Sequence, residues 1–364
     1  MTLEQRPALA ELSAPWDELV DLSPLPSPFL KSWWVDNAAR GEPTILTCRG
    51  DDGSLVGGAA FEVDRVGLGP LGIPRVRVLG HGPLAPDHID VLAAPGHRAD
   101  VLAAVCGWLR SGNRIVDLDG LSADCEVPWL IDARLLSRQV APYRTLESTD
   151  PVAELTGRLR STIKRTTKRL AGSGFEPRLV APTDMERALD TLFHLHSHRW
   201  ADRSSWSSSE AGPVAVDASS EPGQATSEGA LRRTLLAGLR CGGAVIHEMT
   251  DGSQVIASEI ELIAGRRVAF YQAGRLTDQE FRGSGSALKA EVLRWAVREG
   301  MTEFDLLRGD DAYKDDWANA RREVLRVRIG SGGVGRPAAR MMDTWRRLAP
   351  GVARLSSRLR SGSP

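Results

Sequence analysis

The stretch FRGSGSALKAEVLRW, Phe281 to Trp295, sets two glycines and two serines directly before an amphipathic run. Leu288, Val292, Trp295 and Ala296 recur at steps of three and four, which predicts a helix from about Ser286 to Glu299 with one buried stripe, closed by Gly300. The turn before it, Arg282-Gly283-Ser284-Gly285-Ser286-Ala287, has two readings. Glycines let a backbone approach a ligand closely, and free N–H groups at a helix start face an anion with the helix dipole behind them, which suits a pyrophosphate. The plainer reading is a serine N-cap after a loose turn. The surrounding segments decide between them.

Upstream, AVIHEM, the turn Asp251 to Ser253 and QVIASEIELI read as a two-stranded hairpin, and RRVAFYQAG adds a third strand. Downstream, EFDLLRG reads as a closing strand. The same series occurs in the first half: TILTCR, the turn Asp52 to Ser54, LVGGAAFEV, a helix from about Arg98 to Ser111, and the strand RIVDLDG. The two turns lie 199 residues apart, and the helices and closing strands about 189. The chain is therefore α/β and written twice, as two copies of one unit with a mixed, largely antiparallel sheet flanked by helices. Its 364 residues agree, because single cores stop growing near about 250. The expected division is 1–150, 151–335 and a tail at 336–364.

Composition narrows the partners. Hydrophobic residues make up 42% and charged residues 26%, and no apolar run approaches the ~20 residues that span a bilayer. The N-terminal MTLEQRPALAELSAPWDEL carries acids and lacks the pattern of a secretory signal, so a cytoplasmic protein is expected. Cys48, Cys106, Cys125 and Cys241 form no CxxC pair and read as buried small residues. A net charge of -1 conceals two basic segments. STIKRTTKRLAGSG and its flank carry Arg158, Arg160, Lys164, Arg165, Lys168 and Arg169 on one face of a helix whose other face is Leu155, Leu159, Ile163 and Leu170. Between Arg321 and Pro364, eleven arginines stand against Glu323 and Asp343. There, Pro337 to Arg360 predicts an amphipathic helix through Met341 and Trp345 that docks on the second half or meets a membrane surface. Trp206 to Gly229, rich in Ser, Gly and Pro, reads as a long loop.

The order of strands, Gly-rich turn, helix and strand resembles the GNAT acyltransferase superfamily. LHSHRW (Leu195 to Trp200), VIASEIEL, YQAGRL and FDLLRGDDAYKDDW (Phe304 to Trp317) narrow the resemblance to the CelD/BcsL-like acetyltransferases and the related Fem-type aminoacyl transferases, both built from tandem GNAT units. It is specific from about Ser161 to Ala318 and weak over the first 150 residues, where APGHRADVL lacks the glycine spacing. It implies acyl-CoA, acetyl-CoA in the simplest case, with its pyrophosphate at Arg282, Gly283, Ser284, Gly285, Ser286 and Ala287. One copy is then active and the first degenerate.

An amine that attacks a thioester needs a base, a donor for the oxyanion and an acid for the leaving group. Glu259 and Glu261 share one face of a strand that in GNAT enzymes often carries the base; the alternative is an edge strand that wets one face. Tyr313 stands where the resemblance places an acid for the thiolate, or it is a structural tyrosine. Lys314 matches the lysine that in Fem-type enzymes contacts acceptor phosphates, with Asp310 and Trp200 as further acceptor contacts. Asp310 and Asp311 also read as caps for a helix near Ala312. His194, His196 and His198 make a poor metal site, and His196 with Trp200 reads as a pair within its helix. No metal is expected. The resulting reading is an N-acyltransferase acting on a small-molecule or sugar amine in polysaccharide or natural-product synthesis. The alternatives are a tRNA-dependent Fem-like aminoacyl transferase and a catalytically inactive tandem scaffold.

Overall fold

A computed structural model describes residues 1–67, 72–201 and 224–342, with the side chains of 198–201 and 224–227 excepted. The first half comprises β1 (Thr2–Arg6), α1 (Ser13–Leu22), α2 (Ser32–Val35), β2 (Glu42–Arg49), β3 (Leu55–Val66), β4 (Ile73–Val78), β5 (Leu92–Ala93), α3 (Arg98–Arg110), β6 (Arg114–Ser122), α4 (Val127–Leu130) and β7 (Arg134–Thr145). The second comprises α5 (Gly157–Gly172), β8 (Glu176–Leu179), α6 (Met185–Ala201), α7 (Gln224–Cys241), β9 (Ala244–Thr250), β10 (Val255–Ala264), β11 (Arg267–Arg275), α8 (Ser284–Arg298), β12 (Glu303–Asp305), α9 (Ala312–Asp315) and β13 (Ala320–Ser331).

The two hairpins form for the same reason. In each, the Asp side chain folds back onto the turn: Asp52 Oδ1 accepts from Ser54 N at 3.0 Å, and Asp251 Oδ1 from Ser253 N at 2.9 Å. The glycine after it takes the left-handed conformation that closes the hairpin. Each hairpin is extended by a third antiparallel strand, and a helical crossover then returns the chain parallel to that strand, pairing β4 with β6 and β11 with β12.

The repeat closes by exchange. All strands join one sheet in the order β1-β2-β3-β4-β6-β13-β7-β12-β11-β10-β9-β8, with β5 beside β3. Read from either end the order is equivalent, yet β6 pairs with β13 of the second half, and β12 pairs with β7 of the first. Each half has given its last strand to the other. The closing strand of the second half is also shorter than EFDLLRG: after Asp305 the chain leaves β11 and follows β7, with Leu306 N bonded to Pro142 O and Gly309 N to Val140 O, both at 3.0 Å.

One face of the sheet is covered by α1, α2, α6 and α7 over a core that runs through both halves, from Trp16, Phe29 and Trp34 to Leu189, Leu235, Ile260 and Tyr271, while α3 packs on the opposite face, its Val101 against Gly57 where Trp16 of α1 meets the next residue, Gly58. On the other, α8 and α5 cover Val268, Leu293 and Phe304, and Leu170, Phe175 and Met249. Thr156 caps α5, accepting from Leu159 N at 3.4 Å, and Ile163 and Leu170 form its buried stripe, while its six cations are exposed. Three cysteines are buried as expected, but Cys241, at the end of α7, is exposed. The tail also differs from expectation. Residues 332–342 are helical, and Ala338 and Ala339 pack on Ile115 of the first half, leaving Met341 exposed. Trp345 and the rest of the expected stripe lie outside the described residues, as does most of the loop Trp206 to Gly229.

Where the halves cross, charges run in a chain. Arg308 binds Asp87 and, at 2.7 Å, Asp119; Asp119 lies 3.7 Å from Arg326; Asp117 accepts from Arg326 at 3.1 Å and from Arg328 at 2.7 Å. Burial alone would raise the pKa of Asp117, but the two guanidiniums outweigh it and hold the carboxyl below its ordinary value. A depressed carboxylate pKa contributes stability above its unfolded value and loses it as pH falls through the folded one. Asp117→Asn should therefore cost about 3–5 kcal/mol at neutral pH, since it strands buried Arg328. The deficit should shrink below about pH 4, measured by urea unfolding of both proteins across pH.

Candidate active site

The site begins with a gap in the sheet. The ladder between β11 and β12 covers only Arg267↔Glu303 to Ala269↔Asp305, while β11 continues to Arg275. Leu307, in the left-handed region at φ 57°, turns the departing chain toward β7. A wedge therefore opens beside residues 270–275. Leu276 N donates to Ile256 O at 3.0 Å, which sets the alternation along β11: Gly274 turns its backbone groups to β10, and Ala273 and Arg275 turn theirs toward the wedge.

At the wide end stands the glycine turn. Helix α8 starts at Ser284, two residues earlier than expected, with Gly283 at φ 87° as its N-cap and no side-chain cap. A glycine at this position offers the first N–H groups of α8 no side-chain acceptor. The buried Ser284 hydroxyl has no hydrogen-bond partner among the described residues, and Arg282 beside it is exposed. Helix α5 holds the turn: a Cβ on Gly283 would sit 2.9 Å from Thr166 Oγ1, and Arg169 donates to the carbonyls of Glu280 and, at 2.6 Å, Arg282. At Gly285 the corresponding space is open, with only Arg275 Cδ at 3.4 Å.

In the first half the equivalent wedge is shut. Nineteen residues, 79–97, separate β4 from α3, against eight between β11 and α8. The longer segment folds into the gap, where Ile89 N bonds to Gly120 O and Ser122 N to Ile89 O, both at 2.9 Å. Gly120, at φ 99°, permits this, because a Cβ there would lie 2.1 Å from Pro86 O. The segment also reaches the second half, with Asp87 on Arg308, His88 Nε2 2.9 Å from Asp305, and Leu84 O accepting from Tyr271 at 2.9 Å.

The expected wetted face at Glu259 and Glu261 is corrected by the structure. Both do share one face of β10, but α8 covers it, and they are only 2% and 0% exposed. Glu259 accepts from Lys289 Nζ at 2.6 Å, and Glu261 lies 2.9 Å from His247 Nδ1, whose ring meets Trp295. Lys289 also lies over the Phe270 ring. Tyr313, on α9, is 40% exposed, and Asp310 is exposed. Lys314 is buried, its amine donating to Arg308 O at 2.7 Å and Leu307 O at 3.3 Å, and burial lowers its pKa. Asp311 occupies the N-cap of α9 without a side-chain cap bond, its carboxylate lying 3.5 Å from Lys314 instead, so the expected cap does not form. The Trp200 side chain lies outside the described ones.

The family model "Acetyltransferase (GNAT) domain" matches residues 157–315, which contain the wedge, the turn and Lys314. Residues 157–315 are thus similar to a GNAT acetyltransferase domain. No curated protein matches the chain. Among solved structures, FemX superposes with a TM-score of 0.61 at 10% identity over 88% of this chain and 96% of its own. The C-terminal domain of a putative lysylphosphatidylglycerol synthetase from Agrobacterium fabrum gives 0.57 at 11% identity over 93% and 96%. A conserved protein of unknown function from Bacteroides thetaiotaomicron VPI-5482 gives 0.57 at 9% identity over 90% and 99%. At these identities the likeness is one of fold.

Within residues 157–315, several residues escaped the sequence reading as parts of the site. Lys289 left a signal, since it falls on the buried stripe of α8 three residues before Val292. Arg169 and Thr166 gave none, because their partners lie more than a hundred residues away. Burial is the largest influence on Glu259, with Glu261 adding repulsion against the pull of Lys289, and the carboxyl is pushed up to about 7. With a raised pKa, its contribution to stability is complete below about pH 4.5 and is lost as pH rises through about 7. The stability of the wild-type protein relative to Glu259→Gln should therefore fall between those values in urea titrations. A difference that grows with pH would mean that Lys289 holds Glu259 as a carboxylate.

Proposed function

We propose that the chain is a cytoplasmic N-acyltransferase that moves an acyl group, acetyl in the simplest case, from acyl-CoA to a small-molecule or sugar amine in polysaccharide or natural-product assembly. The observation that carries this reading is the continuity of the open wedge with the α8 turn. The first N–H groups of α8, Arg282 and the Ser284 hydroxyl would take the pyrophosphate. The wedge-facing N–H of Ala273 and the backbone of Arg275 would take the amides of the pantetheine arm, as a strand takes a neighbour. Residues 151–335 are the catalytic unit in this proposal. Residues 1–150 are a degenerate partner whose own wedge is filled, and 336–364 are an appended tail.

The roles of the site residues follow from their places. Tyr313, exposed near the end of the wedge, is the acid for the departing thiolate. Asp310 and Trp200 belong to the acceptor side. Lys314 fixes the turn Leu307 to Gly309 from beneath and lends it positive charge. Glu259 and Glu261 support α8 from within, since a base must reach the proton it removes and these carboxylates are sealed.

Gly285→Val tests the cofactor assignment cleanly, because the space at that Cβ admits a side chain while the backbone path of a pyrophosphate would be obstructed. The variant should fold normally and lose acetyl-CoA binding by more than about tenfold in calorimetry. The control in the first copy is Gly96→Asn, since Gly96 is at φ 83° and a β-branched residue there would be strained in any case. It should bind as the wild type does. Equal loss in both variants, or in neither, overturns the single-active-copy assignment.

The second reading is aminoacyl transfer from tRNA, and the exposed cations of α5 beside the turn favour it. Neutralising Lys164, Arg165 and Lys168 together, and sparing Arg169 because it holds the turn, should leave acetyl-CoA turnover within about twofold if acyl-CoA is the donor. If tRNA is the donor, the triple variant should instead lose tRNA affinity and flatten its salt dependence by about 0.7–0.9 per phosphate contact. A protein that binds neither donor would be the inactive scaffold.

A further inference from the structure

Burial of Glu259 and Glu261 sets aside both bases expected from the sequence, and the open edge of β11 meets a further candidate, which the sequence marked only as a partner of Trp200. His196 lies in the last turns of α6, half-buried. It does not bond within its helix through Nδ1; that atom sits 3.1 Å from the carbonyl oxygen of Ala273. This carbonyl is one of the two backbone positions that β11 turns toward the wedge. Helix α6 is held there by close packing: a Cβ on Gly274 would lie 2.5 Å from His196 N and 2.6 Å from Leu195 C. Gly274 thus lets the helix backbone rest on the strand and deliver the imidazole to its open edge.

The contact also fixes the tautomer. A carbonyl oxygen only accepts, so Nδ1 carries the hydrogen, and in a neutral ring Nε2 then holds the lone pair. A histidine oriented in this way through Nδ1 is a base at Nε2 with little rotational freedom left to lose. Among the described side chains, Arg275 stands two residues along β11 from Ala273, and His194, exposed, stands two residues before His196 on α6.

We propose that His196 is the general base of the acyl transfer, with Ala273 O as the group that orients it. The inference rests on the acyl-CoA reading above. As the acceptor nitrogen bonds to the thioester carbon, its proton passes to Nε2. The C–S bond then breaks, the electron pair leaves with sulfur, and the thiolate takes up one proton. Amide and free thiol are formed with no net gain or loss of protons.

His196→Asn separates base from strut, because the Asn amide can still donate to Ala273 O while no basic nitrogen replaces Nε2. The experiment measures acetyl-CoA binding by calorimetry, unfolding temperature, and thiol release with a panel of primary amines from glucosamine to hydroxylamine. The variant should bind acetyl-CoA like the wild type and unfold at the same temperature. With glucosamine its kcat should fall roughly 10²-fold or more, and the acidic limb of the pH–rate profile should disappear. Hydroxylamine, largely unprotonated at neutral pH, should recover most of the rate. A variant that keeps its turnover and its acidic limb overturns the role of His196 and leaves the acyl-CoA reading standing. So does a uniform loss with both amines, which would mark His196 as a strut. If the wild-type protein neither binds acetyl-CoA nor acylates any amine of the panel, both fall.

Discussion

The ladder between β7 and β13 is the constraint on which the rest of the molecule depends. Neither half contains the partner of its own last crossover strand: β6 finds it at Val324 to Ser331, and β12 finds it at Tyr143 to Thr145. The exchange makes one sheet and one continuous main core out of two similar units, and it fixes both wedges relative to each other. It also explains why the chain of buried charges lies where it does. Arg326 and Arg328 arrive on an exchanged strand from the second half, and the carboxylates that receive them, Asp117 and Asp119, are native to the first. Pairs with that composition are expensive to leave unmatched, so a misplaced β13 would be penalised by charge as well as by lost backbone bonds.

Much of this was legible in the residues. Two Asp-Gly-Ser turns at a constant offset, each followed by alternating strands, an amphipathic helix and another strand, gave the repeat and its order, because turn chemistry and periodicity are local properties. The exchange was not legible. RIVDLDG and EFDLLRG can each pair with either closing strand, and nothing in their patterns says which is nearer in space. The glycine turn was readable as a helix start, while its support by Thr166 and Arg169 needed the packing of α5 on α8. The glutamates misled for a physical reason: alternation with Ile260 and Leu262 marks a face that differs from the core face, and it does not distinguish water from a second buried layer that carries Lys289 and His247. For His196 the four-residue spacing to Trp200 was visible and the contact with Ala273 was not, because that contact joins a helix to a strand 77 residues away.

The two wedges show how one topology yields opposite outcomes from a difference in connection length. A short link of eight residues between β11 and α8 holds the turn close to the sheet and leaves the strand edge bare. The longer link in the first half has enough chain to supply the missing backbone partners itself, through Ile89. Unpaired backbone groups inside a fold demand a partner, and the first repeat satisfies them with its own chain. The filled wedge is also a surface on which Asp87 and His88 meet Arg308 and Asp305, so the first copy orders the segment that leads into Tyr313 and Lys314.

Strand exchange has a further consequence for how such a chain comes to exist. A ribosome delivers the first half complete in sequence but incomplete in structure, with the edge of β6 waiting for Val324 to Ser331, two hundred residues behind it. During that interval the nascent first half presents a bare strand edge, which invites pairing with any neighbouring chain. The non-local closure also raises contact order, which slows the final step. Folding is therefore committed only when almost all of the sheet has left the exit tunnel. A product cut short before β13 would lack a stable resting form, and quality control would see it as unfinished in both halves at once.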